Sequence, residues 1–65
     1  MTIKEKFKET KASNWKIVDN NNQLGPYERD LFYNNFHKTK FWSDEPKQIL
    51  TNYTKDKTSV VFILS

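Results

Sequence analysis

The chain has no cysteine, one glycine, two prolines and one histidine among its 65 residues. Without cysteine there is neither a disulfide framework nor a thiolate metal site, and a lone histidine falls short of the three or four ligands of a zinc centre. One glycine excludes a glycine-rich phosphate loop. No apolar run approaches the roughly 20 residues that span a bilayer, and MTIKEKFK lacks the apolar stretch of a secretory signal. These absences lead us to expect a cytoplasmic protein with no cofactor and no membrane partner. At this length it forms one domain, near the lower limit at which a core holds without cross-links.

Aromatic residues are plentiful: five Phe, three Tyr and two Trp make up 15% of the chain. Each buries a large area, so a small dense core is within reach. Charge is placed unevenly. The first 16 residues hold five lysines against two glutamates and carry the whole net charge of +3, while the remainder balances. Lys4, Lys6, Lys8 and Lys11 form a basic arm suited to steering toward phosphates or an acidic protein face. The near-exclusive use of lysine over arginine, with seven asparagines, is what an AT-rich genome produces, as in many phages and low-GC bacteria, and points to a phage or mobile-element source.

Residues 1–13 read as that basic arm or a short helix, and 14–65 as a single small α+β domain. Thr2 stands three residues before Glu5, the spacing of a capping box, with Ile3 and Phe7 one turn apart. Asn14 to Asp19 alternates polar with large apolar residues and reads as a strand. The asparagines at 20–22 supply a turn, and Gly25-Pro26 marks a second. From Tyr27 the pattern is helical to Lys38, with Leu31, Phe32, Asn35 and Phe36 on one face. Ser43 to Pro46 reads as a helix start, giving a second short helix from Asp44 to Tyr53. Ser59 to Ser65 is an apolar run of the kind found in strands covered on both faces. The expected architecture is a small antiparallel sheet with one main helix packed on it and a second short one.

Groups for chemistry are scarce. His37 falls at a helix end with no sign of a triad around it, and adjacent Asp44 and Glu45 point apart on a helix, which suits capping better than acid–base work. The chain therefore reads as non-catalytic. Two stretches, Lys4 to Trp15 and His37 to Trp42, interleave basic with aromatic residues, a combination that single-stranded nucleic acid binders use.

One constellation has a wider echo. Trp15, Asp19, Gly25-Pro26-Tyr27, Phe32, Phe36 and Phe41 resemble the spacing of the GYF domain over residues 15–41. That family sets a strand Trp and an acidic residue before a Gly-Pro-aromatic, a helix with its own Trp, and a Gly-Tyr-Phe. Here Asn35 occupies the helix Trp position, Thr39-Lys40-Phe41 the Gly-Tyr-Phe position, and Ile17 the place of a Tyr. The resemblance implies a small α+β module that binds proline-rich peptides in an aromatic cradle, with three of its rings replaced.

Together these readings lead us to expect a protein-interaction module that docks an extended or proline-containing segment, or a face of a larger protein, through Trp15, Tyr27, Phe36, Phe41 and Trp42. Two other readings fit the sequence. One is a phage-type inhibitor that occludes a host enzyme; the other is a small basic nucleic acid binder acting through the arm.

Overall fold

A computed structural model of the chain describes residues 1–20 and 22–64. Its elements are helix α1 (Ile3–Glu9), strands β1 (Asn14–Asp19) and β2 (Asn22–Glu28), helix α2 (Arg29–Phe36), a 3₁₀ turn (Lys40–Ser43), and strands β3 (Gln48–Tyr53) and β4 (Thr58–Ile63). The four strands form one sheet in the order β2-β1-β4-β3. It is an α+β fold, as expected, but the sheet is mixed. Each outer pair is an antiparallel hairpin, and the two inner strands, β1 and β4, run parallel.

Helix α1 forms because the capping box closes. Thr2 accepts from the Glu5 amide at 3.2 Å, and the Glu5 carboxylate accepts from the Thr2 amide at 2.9 Å. Arg29, the sole arginine, serves the other end, donating to the Phe7 and Thr10 carbonyls at 3.1 and 2.8 Å while its guanidinium lies 4.0 Å over the Phe7 ring. The basic N-terminal segment is thus tied to α2, with Ile3 and Phe7 buried beneath it.

Both helices and the 3₁₀ turn pack on the same sheet face. Trp15, Ile17, Val60 and Phe62 project from β1 and β4 to meet Ile3, Phe7, Phe32, Phe36 and Trp42. The Trp15 ring stacks at 5.5 Å on Phe32 and 5.8 Å on Phe62, and its indole N–H donates to the Ala12 carbonyl at 2.9 Å, so its one polar atom is satisfied inside. Full burial of side chains such as Phe32 and Phe62 stabilises by about 1.5–3 kcal/mol each.

Four local expectations change. The stretch expected to be a helix from Asp44 to Tyr53 supplies β3: the apolar residues Ile49, Leu50 and Tyr53 fall at helical spacing, but six paired positions with β4 override it. Gly25-Pro26 does not turn the chain but lies inside β2, joined by a cis peptide, where the register to β1 shifts between Trp15 and Ile17. Gly25 has φ +118 there, and a Cβ would stand 2.9 Å from the Trp15 carbonyl, so only glycine fits without strain. Leu31, expected on the core face of α2, is 51% exposed, because so short a helix seats a single stripe, Phe32 and Phe36. Finally β4 lies centrally, yet only its Val60 and Phe62 face is covered. The hairpin turn between β1 and β2 has Asn20 at φ 56, while Asn21 of that turn and Ser65 of the terminal run lie outside the described residues.

Candidate functional site

The aromatic residues singled out from the sequence lie on the helix side of the sheet. Trp15 is fully enclosed, and Phe36 and Trp42 are 7% and 8% exposed. Tyr27 and Phe41 are half-buried and set their edges on Phe36 at 5.6 and 5.8 Å. The fold therefore brings Tyr27, Phe36 and Phe41 together at one corner, and places Trp15 and Trp42 around Phe7 and Phe32 in the interior. Of the arm lysines, Lys4, Lys8 and Lys11 are exposed, and Lys6 is half-buried with its ammonium 3.8 Å from Glu9.

His37, Asp44 and Glu45 each make a local contact. His37 stacks on Tyr33 at 4.4 Å, with Nδ1 2.6 Å from the Tyr33 carbonyl oxygen. Asp44 accepts the Ile3 amide through its backbone carbonyl, and Glu45 takes the terminal ammonium of Met1 at 3.3 Å. The Glu5 carboxyl is held below its usual range by its hydrogen bonds with Thr2, a capping effect. Among the described residues, no group of three or more His, Cys, Asp or Glu could hold a metal ion.

The opposite face of the sheet differs. Strand parity sends Val18 from β1, Val61 and Ile63 from β4 and Leu50 from β3 to the side of the sheet opposite the described helices. Val18 and Ile63 are register partners across the central parallel pair, and Val61 sits between Leu50 and Lys16. Leu50 is 38% exposed and the other three are half-buried by their own neighbours. Polar side chains ring this apolar centre: Gln23, Gln48, Asn52, Ser59 and Asn14. Lys16 is held in place by donating to Gln23 at 2.7 Å.

A trough of about 270 Å³ opens on this face, lined by Asn14, Trp15, Lys16, Pro26, Ser59, Val60 and Val61. Small-molecule sites begin at about 300 Å³ and enclose most of the ligand. This one is smaller and open, so it suits a single protruding side chain. The open face thus has an apolar centre, a polar rim and one shallow trough.

Sequence reasoning missed these residues, although a signal was present. Val61 and Ile63 alternate with Val60 and Phe62, so β4 is apolar on both parities. A chain of this size has too few helical residues to cover two sheet faces. No protein-family model, curated protein or solved structure matches the chain.

Proposed function

We propose that this protein is a non-catalytic protein-binding module that docks its partner on the open face of the sheet. The observation that carries the reading is the face of β4 turned away from the helices: Val61 and Ile63, with Val18 and Leu50, form an apolar surface that is only half-buried among the described residues. The partner is a protein segment, extended or proline-containing, that lays apolar side chains over this centre and lodges one in the trough beside Pro26. The ligand then lies on the opposite side of the sheet from the aromatic corner of Tyr27, Phe36 and Phe41, where the GYF resemblance of residues 15–41 would have placed it. An inhibitor that occludes a host enzyme would use the same surface.

Val61→Glu tests the reading. The new carboxylate faces its register partner Lys16, which offsets much of the cost of the substitution, so the fold survives while the apolar centre is lost. In affinity capture from lysate at high salt, the wild-type chain should retain one protein that Val61→Glu loses, with circular dichroism unchanged. Equal retention by both chains overturns the proposal.

A second reading rests on Lys4, Lys8 and Lys11, which are all exposed on the helix side of the molecule. Nucleic acid binding there would fall steeply with salt through counterion release, and Lys8→Gln would flatten that slope.

A further inference from the structure

We infer that two copies of this chain associate through β3, pairing antiparallel about a two-fold axis at Leu50, so that two four-stranded sheets become one of eight. The inference concerns the sheet edge and does not depend on what covers the open face.

The two edges of the sheet are not alike. β2 contains Pro26 and an irregular register, features that protect an edge from pairing. β3 has neither. Its six residues, Gln48 to Tyr53, carry no charge and no proline, and they pair with β4 at six successive positions. Such a strand is a ready template for another.

Two hydrogen bonds show which groups of β3 point outward. The Thr54 amide donates to the Lys57 carbonyl at 2.8 Å and closes the β3–β4 hairpin, so Asn52, Leu50 and Gln48 direct their backbone groups toward β4. On the other side, the Leu64 amide donates to the Val18 carbonyl at 2.9 Å, which turns even-numbered residues of β4 toward β1 and odd-numbered ones toward β3. The two agree. Ile49, Thr51 and Tyr53 present their N–H and C=O groups at the edge.

Only in-phase registers keep both apolar faces on their own side. With Leu50 opposite its own copy, Ile49 pairs with Thr51 and Gln48 with Asn52, so that apolar meets apolar and amide meets amide on the open face. Shifting so that Thr51 meets its copy sets Leu50 opposite Asn52, an apolar side chain against a polar one, and loses the leucine pair. Shifting the other way shortens the overlap. The matching of like side chains thus selects the register centred on Leu50, where the two leucines join the open faces into one apolar band.

Sedimentation equilibrium of the full chain, from micromolar to millimolar concentration, tests this. The wild type should reach twice 7.8 kDa. Thr51→Pro removes an outward N–H that β4 does not use, so its circular dichroism should match wild type while the dimer is lost. Leu50→Lys and Leu50→Glu place like charges at the axis and should each be monomeric, whereas an equimolar mixture of the two should recover the dimer. A monomeric wild type, a dimer that survives Thr51→Pro with β3 intact, or a mixture that stays monomeric each overturns the inference. Loss of a captured partner by Thr51→Pro in a monomeric wild type would assign the edge to a foreign strand instead. The docking proposal fails separately, since Val61→Glu leaves the edge in place and Thr51→Pro leaves the open face intact.

Discussion

Neighbouring residues of one strand separate the two faces. Ile17 is fully buried against the helices, and Val18 lies half-buried on the open side. Removing the Ile17 side chain leaves a cavity among Trp15, Phe62 and the helix aromatics, so Ile17→Ala should cost about 2–5 kcal/mol in chemical denaturation. Val18→Thr should stay within about 0.5 kcal/mol of wild type, since its surroundings already include water and Gln23. Equal losses at both positions would mean that the open face is covered. The sequence showed Trp15 and Ile17 sharing a face, because alternation is visible along one strand. It did not show Leu31 turned outward, because a helix face is set by what it packs on.

Helix α1 depends on its ends. A seven-residue helix has little stability of its own, and the Thr2–Glu5 box supplies part of it. Thr2→Ala should lower stability by about 0.5–2 kcal/mol, read as a fall in thermal midpoint. The folded state holds the Glu5 carboxyl below its unfolded value, so this contribution is present above the ordinary glutamate range. It is lost as pH falls through the lowered folded value. Glu5→Gln should therefore flatten the acid limb of midpoint against pH, and an unchanged limb would detach that limb from the cap. The capping box was legible because it is a local spacing. Strand β3 was not: Ile49, Leu50 and Tyr53 fit a helix stripe, and its extended form depends on β4, which follows it in the chain.

Across the whole molecule, the N-terminal segment belongs to the fold. Ile3, Phe7 and Ala12 are three of the ten buried apolar residues among those described, and Arg29 from α2 holds the carbonyls of Phe7 and Thr10. A chain lacking residues 2–13 would expose Trp15, Phe32 and Trp42, and it should lose cooperative unfolding and near-ultraviolet dichroism. Retention of both would return residues 1–13 to the role of a detachable basic arm, whose loss alters association rate and salt dependence more than stability.

Composition and local spacing by themselves determined an α+β fold with an aromatic core, the strand at 14–19, the helix after Tyr27 and the cap at Thr2. Each of these rests on neighbours within a turn or two of the chain. Which way β4 runs beside β1, which parity of β4 the helices cover, and that Gly25-Pro26 sits within a strand were decided only by tertiary structure. Those outcomes depend on partners far apart in sequence, as with Val18 against Ile63 and Leu50 against Val61. The helices are long enough to bury one side of the sheet, and the apolar side chains of the other face stay half-buried or exposed.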